Sequence, residues 1–600
     1  MPSPRQFARN ARLLLQSAAQ HAVDDPALLA VQVSRRTPFA IRVRAGRALR
    51  TAASLAPGGQ GAAALGAYMA GDTTAATELL TSSTGSRSRM RGEVAVLLQR
   101  ADLLSPSAAP ETRARAAWAH GDVSGAIAVL EAAGKGGSRY AQRLRSEFQL
   151  LSPGYHLPSL RSEASTNPAG EGTPLRVLHV LTNSLPHTQS GYSLRTHRIL
   201  TALREQGIDS VAITRTGYPV MIGKPLAADE DVVDGIRYVR TLPSRLPQTQ
   251  EERLMAEVAR ALELVEEFRP HVIHATTNYY TALVAQAVSA ATGLPWILEV
   301  RGLMEKTWAA TLPTAEGRTA AATSEKSRLI AAREAELATA ADGVVTLSQT
   351  MVDELEARGV ESERIVTVPN GVDGALLDEN LSPREARALL GLGMENSFLV
   401  GAVSALVDYE GFDTLLRAAA LIVHGEQSPE PLRSRLRVVL AGDGTAAPAL
   451  RALAIELGIS DRVLMPGRVS RHSARHWTQA LDVVAVPRSD VEVARTVTPQ
   501  KPVEAMALNR PVIVSDLPAL RETVLDTDGT LRATTVPPDS AAALADTICA
   551  SALDSDRMAR RAAQGREAAS RRTWPALVQR YEKLYLDISA RSQEELTRGR

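Results

Sequence analysis

The spacing of apolar residues changes character about a quarter of the way along the chain. Up to about residue 150, apolar positions recur three or four apart in ARLLLQSAAQHAV, AAALGAYMAG, EVAVLLQRADLL and TRARAAWAHG, with few β-branched clusters, which predicts an all-helical region over 1–150. Ala70-Gly71-Asp72 leads into TTAATELL and His120-Gly121-Asp122 into VSGAIAVLEAAG, so one turn-then-helix phrase occurs twice. These read either as degenerate tetratricopeptide-like hairpins, since the roughly 50-residue spacing exceeds that repeat's regular period, or as a plain Ala-rich bundle.

Between 151 and 174 the stretch SPGYHLPSLRSEASTNPAGEGTP is dense in Pro, Gly, Ser and Thr and marks a linker. After it, short continuous apolar runs alternate with amphipathic ones: RVLHVLT, VAIT, HVIHAT, WILEV, GVVTLS and RIVTVP are separated by helical stretches such as SLRTHRILTALREQG and RLMAEVARALELVEEF. Each parallel crossover needs a helix, so the alternation predicts a doubly wound parallel sheet over 175–373. A turn at VPNGVD then opens a second series, SFLVGAVS, RVVLAGDG, RVLMPG, DVVAVP and PVIVSD, over 374–575. Two Rossmann-like domains facing one cleft follow, and ligands of such sheets lie beyond the carboxyl ends of the strands.

One stretch past those strand ends carries concentrated chemistry. In RTVTPQKPVEAMALNRPVIVSD a turn at Thr498-Pro499 leads to a helix start where Lys501 adds a charge suited to a diphosphate, and Glu504, one helical turn on, can accept the two hydroxyls of a ribose. The same pattern also fits an ordinary amphipathic helix before a core strand. Only six Lys stand against 62 Arg, which makes a Lys beside a Pro turn more telling.

Composition narrows the class. A net charge of +2 over 600 residues gives no field that asks for nucleic acid. The lone Cys549 excludes an intrachain disulfide and fits a reducing cytoplasm, and no apolar run approaches membrane-spanning length. From Pro26 to Gly71 there is no acidic residue, whereas Arg35, Arg36, Arg42, Arg44, Arg47 and Arg50 interleave with Phe39, Ile41, Val43 and Leu49. That run suits an anionic lipid surface, a patch docking the rest of the protein, or a solvated helix face.

The phrases ADGVVTLSQTMVDELEARGVESERIVTVPNGVD, LAGDGTAAPALRALAIELGISDRVLMPGRV and VEAMALNRPVIVSD, in this order and spacing, resemble the retaining glycosyltransferases of family 4, which have the GT-B fold; the likeness runs from about Pro174 to Ile588. SGYSLRTH, EVRG, VDYEGFDTLL and VTPQKPVEAMA mark the subgroup. The resemblance implies a nucleotide-sugar donor on the second domain, a glycan, lipid or small-molecule acceptor on the first, no cofactor, and a closing helix at 576–600 that returns to the first domain with Trp574, Tyr581 and Tyr585 as packing residues. It implies that Gly442 and Gly444 turn beside the nucleotide, that Gly467, Arg468 and Val469 meet the base, and that Thr498, Pro499 and Glu504 complete the donor site. On the acceptor side it implies Ser190, Gly191, Tyr192, Arg195 and His197. Glu299 and Arg301 stand where many relatives carry a His near the transferred sugar, and fit either the cleft or a structural ion pair; His274 fits a core position better than the cleft.

Three departures accompany the likeness. Thr496 replaces the first carboxylate of the family's paired glutamates, and Ala405 and Glu410 replace its Arg and Lys. Arg488 and Lys501 are the substitutes expected to stabilise a departing diphosphate. No HExxH, Cys cluster or Asp-x-Asp after a strand points to a metal. A retaining, metal-independent hexosyl transfer is the expectation; the alternatives are a weakened scaffold of a polysaccharide-assembly complex and a nucleotide-sugar epimerase.

Overall fold

The computed structural model describes residues 3–34, 37, 39–56, 58–82, 88–160 and 174–598. Most of the 151–174 linker, and Arg35 and Arg36 of the basic run, lie outside these residues.

Before the first strand the described chain is helical, from Pro4–Asp24 to Arg139–Leu151. Both Gly-Asp phrases form the same joint. Gly71 and Gly121 end their helices at φ +87°, a left-handed conformation that glycine adopts without a Cβ clash, and Asp72 and Asp122 then cap the next helix through the backbone N–H of Ala75 and Gly125 (2.9 Å each). The helices pack against the first α/β domain at several points. Asn10 Nδ2 donates to the carbonyls of Pro225 and Ala227 (3.0 and 2.9 Å), Leu13 is buried with Val220, Ala227 and Leu246, and Lys326 N donates to Gly121 O (2.9 Å). Glu147 accepts from the hydroxyls of Tyr279 (2.6 Å) and Tyr280 at the helix start after the strand HVIHAT. Of the basic run, Arg44 and Arg47 are exposed and Arg50 lies 3.5 Å from Asp72. No described helix is long and apolar enough to cross a membrane.

The first sheet contains β1 (Arg176–Leu181), β2 (Asp209–Thr214), β3 (Glu230–Val233), β4 (Ile236–Arg240), β5 (Val272–Thr276), β6 (Trp296–Glu299), β7 (Gly343–Thr346) and β8 (Ile365–Thr367), in the order β3-β4-β2-β1-β5-β6-β7-β8. All neighbours are parallel except β3 and β4. That antiparallel edge hairpin was absent from the strand assignment above, although its turn, Asp234-Gly235 with both φ positive, is the dipeptide that favours a tight hairpin. The second sheet, β9 (Phe398–Val403), β10 (Leu436–Ala441), β11 (Val463–Gly467), β12 (Val483–Val486), β13 (Val512–Ser515) and β14 (Thr534–Val536), is parallel throughout in the order β11-β10-β9-β12-β13-β14. The central strands of both sheets are buried on both faces, which explains their continuous Val, Ile, Leu and Ala runs.

The chain crosses between the domains twice, and the crossings are stitched together. Val372 N donates to Arg572 O (2.8 Å) and Trp574 N to Val372 O (3.2 Å). The helix Trp574–Arg598 then packs Trp574, Leu577, Val578, Tyr581, Leu584, Tyr585 and Ile588 onto the first domain beside Val177, Ile199, Ile297 and Val345. It begins two residues before the position read from the sequence, and Trp574, Tyr581 and Tyr585 are buried there as packing residues.

Candidate functional site

Parallel strands place every strand exit of a sheet on one edge, and here the two edges confront each other. From the second domain come Ser404 after β9, Gly442 after β10, Arg488 after β12 and Lys501 at the head of the next helix. From the first come Ser190–Tyr192, Thr277 and Arg301.

The helix Lys501–Ala507 has seven residues, Gln500 gives it no side-chain cap, and Pro502 removes a donor from its first turn. Its charge therefore resides mainly in Lys501, not in its dipole. Lys501 Nζ lies 2.9 Å from Glu410 Oε2 and also donates to Ser404 Oγ. Arg488 donates to Glu410 Oε1 (3.0 Å) and to Val497 O (2.9 Å), and its guanidinium lies over the Tyr409 ring at 5.7 Å. Burial pushes the Glu410 carboxyl up, but Lys501 and Arg488 outweigh it and hold the group down to about 2. Burial lowers the Lys501 ammonium, with Glu410 opposing. The two expected substitutes thus stand side by side, and the Glu410 carboxylate joins them.

Glu504 Oε1 accepts from Gln500 Nε2 (3.0 Å) and, across the cleft, from Arg198 (2.7 Å). Thr496 Oγ1 donates to Glu492 O (2.8 Å) and lies 3.4 Å from Lys306 Nζ of the first domain. Thr498 and Pro499 are buried, and Thr498 O accepts from Asn370 Nδ2 (3.1 Å), whose own Oδ1 accepts from Arg195 (3.0 Å). Asn370 in the VPNGVD turn therefore latches one domain to the other. Arg198, Lys306 and Asn370 were not singled out in the sequence; their partners in the second domain are 128 to 306 residues away, and no local pattern signals such pairs.

The glycines after β10 are held to that residue type by their own neighbours. A Cβ on Gly442 would fall 1.7 Å from Ser404 O, and one on Gly444 2.1 Å from Leu406 O, so both are demanded by the packing of one strand-exit loop on the next. Gly467 has φ +82° and open space around it, Arg468 is exposed, and Val469 packs partly on the core beneath β11.

On the facing domain, Ser190 caps the helix Gly191–Glu205 through Ser193 N (3.2 Å), and a Cβ at Gly191 would meet nothing. Tyr192 is exposed, and its hydroxyl lies close over Gly302, with Val497 of the second domain beside it. Arg195 and His197 point elsewhere. Arg195 is buried and donates to Glu299 Oε1 (3.1 Å), Val368 O (2.8 Å) and Pro369 O (3.0 Å), under the Trp574 ring. His197 is buried between Tyr238 Oη and Asp234 (2.8 Å each) behind the sheet edge.

Glu299 has no exposed surface. Arg301 donates to its Oε2 (2.6 Å), Arg195 and Tyr581 Oη to its Oε1 (3.1 and 2.7 Å), and His274 Nε2 lies 3.2 Å away while its Nδ1 meets Tyr585 Oη (2.7 Å). Burial raises the carboxyl, but Arg301 and Arg195 hold it well below the usual range. Arg301 also donates to Thr196 Oγ1 (2.6 Å) and Tyr192 O (3.1 Å), so it orients the acceptor-side loop from beneath. Of the two arrangements considered for Glu299 and Arg301, this geometry is the ion pair, and His274 is a core residue. A signal that the sequence reading passed over is the loop after β5: Thr277 and Asn278 both take positive φ (58° and 73°), strain that clusters at functional sites, just before the tyrosines held by Glu147.

Comparison with known proteins meets this geometry at the same two domains. Residues 190–371 match the family model described as Glycosyl transferase 4-like domain, and residues 397–554 match Glycosyl transferases group 1. The chain carries these two glycosyltransferase domains in tandem. A D-inositol 3-phosphate glycosyltransferase of Xylanimonas cellulosilytica is 31% identical over 244 residues, 40% of this chain and 56% of the relative. An uncharacterized glycosyltransferase of Methanocaldococcus jannaschii is 24% identical over 52% of this chain and 75% of its own length. The chain spans about half the length of most of the curated relatives it matches. Sucrose-phosphate synthase from Thermosynechococcus elongatus superposes with TM-score 0.55 at 20% identity, covering 69% of this chain and 99% of the other; Anabaena HepE in complex with UDP gives 0.51 at 19%, covering 68% and 99%. The two glycosyltransferase domains form the GT-B fold, preceded by the all-helical region.

Proposed function

We propose that the chain is a retaining, metal-independent glycosyltransferase that moves a hexose-type sugar from a nucleoside diphosphate, held on the group 1 domain, to an acceptor held on the 4-like domain. The observation that carries this reading is the Lys501–Arg488 pair at the strand exits of the second domain, facing the acceptor-side loops. A leaving diphosphate develops charge in a site from which water is excluded, and two cations fixed there in advance offset it without reorganisation. Related folds support the donor class, since HepE structures hold UDP and UDP-glucose. Glu504 would take the ribose hydroxyls once it leaves Arg198. Tyr192 and the loop Thr276–Tyr280 line the acceptor side, with Arg301 and Glu299 holding Tyr192 from below. The reaction would run in the cytoplasm, with any membrane contact made through the exposed arginines of the N-terminal helices.

Thermal-shift titration with uridine, guanosine and adenosine diphosphates and their sugars tests the donor half, because a ligand that binds only the folded state raises the melting temperature. Stabilisation by one base series, lost in Lys501→Ala and Glu504→Ala, is expected; stabilisation that survives both substitutions would remove this site. Thr496, standing where a carboxylate is expected, favours a second reading, a sugar-nucleotide-binding scaffold with little turnover. Mass analysis of products after prolonged incubation separates transfer, epimerisation and mere binding.

A further inference from the structure

We infer that Glu410 is a positioning residue of the donor site: its buried carboxylate keeps Lys501 charged and fixed beside Arg488, so that two cations reach a diphosphate as one preset unit. The inference deepens the proposed function and rests on it only for the identity of the ligand.

The turn that carries Glu410 cannot drift from Arg488. Gly411 follows it at φ +70°, and a Cβ there would fall 1.8 Å from Pro487 O, so Asp408–Gly411 packs backbone to backbone on the exit of β12. Ser489 N donates to Tyr409 O (3.1 Å), and the Tyr409 ring lies under the Arg488 guanidinium. Glu410 and Arg488 are therefore held by one rigid joint, both almost fully buried. Lys501 arrives from another element, with about a quarter of its side chain exposed to the cleft. Two cations sharing a dry pocket repel, and each also loses hydration. A carboxylate between them offsets the repulsion and part of the lost hydration while leaving the trio one positive charge in excess.

The charged groups around Lys501 are Glu410 from the turn after β9, Arg488 from the exit of β12 and Glu504 from its own helix. Burial and Arg488 push the ammonium down, and it stays below its ordinary value; Glu410, the stronger of the two carboxylates acting on it, opposes that push. Without Glu410 the cheapest remedy for the pair is for Lys501 to shed its proton, which Arg488 cannot do. The anion thus stands in the turn after β9, and the cations on the helix head and the exit of β12.

Competitive labelling of the full chain with acetic anhydride over a pH series, read at Lys501 by peptide mass spectrometry, tests the hold itself. In Glu410→Gln the labelling midpoint of Lys501 is expected at least about one pH unit below that of the unaltered chain. Glu410→Asp, which keeps the charge but withdraws it by one methylene, moves the midpoint the same way by less and serves where the Gln variant does not fold. A midpoint unmoved in the folded variants overturns the proposal. Calorimetric titration with UDP between pH 7.5 and 9.5 tests the link to the donor. The unaltered chain is expected to change affinity by less than about twofold, Glu410→Gln to lose about tenfold towards the alkaline end, and Glu410→Gln with Lys501→Arg to regain the flat profile because a guanidinium stays charged. Equal slopes in all three overturn the positioning role. Failure of the unaltered chain to bind UDP, with the labelling shift intact, would count against the donor reading and leave the Glu410–Lys501 coupling standing.

Discussion

Glu299 in the first domain and Glu410 in the second are both buried carboxylates gripped by two cations, yet what surrounds the grip differs. Around Glu299 the cations are two buried arginines, a tyrosine from the closing helix fills one remaining position, and His274 lies against the other. Around Glu410 one cation is a lysine with about a quarter of its side chain exposed. The first arrangement ties β6, the helix Gly191–Glu205 and the closing helix into one block. The second leaves positive charge where a ligand can meet it. An ion pair in a dry core is weak evidence of net stabilisation, but breaking one side of it is costly, so the same chemistry serves as a fastener when sealed and as a receptor when open.

The largest effect expected follows from the sealed member. Glu299→Gln leaves Arg195 and Arg301 facing each other without a counter-charge and should cost about 3–5 kcal/mol, read as a lower denaturant midpoint of the first domain. Glu410→Gln should cost less, because Lys501 can turn to water or lose its proton. Equal losses would break the comparison.

Next in size is the pH response. The folded state depresses the carboxyls of Glu299 and Glu410, so their stabilisation is complete above the unfolded value near 4.5 and is lost only as pH falls through their folded values, at about 2 for Glu410. Glu257 and Glu334 are the opposite case. Among the described residues neither has an ion-pair contact: Glu257 accepts from Thr216 N (2.7 Å) and burial pushes it up to about 7, and Glu334, also buried, is raised by burial and by Glu305 to about 8. The folded protein binds their protons between about 4.5 and those values, so stability should fall as pH rises through that window, by up to about 3 kcal/mol for Glu257. Melting curves from pH 4.5 to 8 should show the decline, and Glu257→Gln should flatten the part below about 7.

Smaller again is the donor effect of the open member. Lys501→Ala removes one charge-assisted contact, worth about 1.5–3 kcal/mol, and should weaken UDP binding by about ten- to a hundredfold with little change in melting temperature. A loss of stability comparable with that of Glu299→Gln would mean that Lys501 is a fastener too.

The difference between the two carboxylates also marks how far the sequence could be read. Continuous apolar runs between amphipathic stretches announced the parallel strands because burial on both faces leaves a direct trace in residue type. Gly442 and Gly444 were legible as points of close approach, but not what approaches them, which is the neighbouring backbone. Glu299 stood out at the end of WILEV, although its partners lie as far off as Tyr581, and side chains that meet across 282 residues leave no spacing to detect. Arg488 and Lys501 could be named from the sequence as substitute cations, but not the contact that joins them: Glu410, 78 residues from one and 91 from the other, meets both only in the fold.

The smallest effect expected concerns Glu504, a site carboxylate whose cation comes from the opposite domain. Arg198 and Glu504 meet at 2.7 Å while partly exposed (13% and 31%), and such pairs are worth about 1 kcal/mol or less because water screens them. Glu504 Oε1 also accepts from Gln500, so Arg198 occupies the same oxygen that a ribose hydroxyl would need under the proposed function. Under that reading a nucleotide has to displace Arg198 before Glu504 accepts both hydroxyls. Arg198→Gln should therefore tighten UDP binding by about two- to fivefold, whereas Glu504→Ala should weaken it. Calorimetry on the two variants decides the direction. If Arg198→Gln weakens binding instead, the arginine serves the donor across the closed cleft, and the first domain contributes a cation of its own to a charge that the comparison of Glu299 with Glu410 assigns to the second.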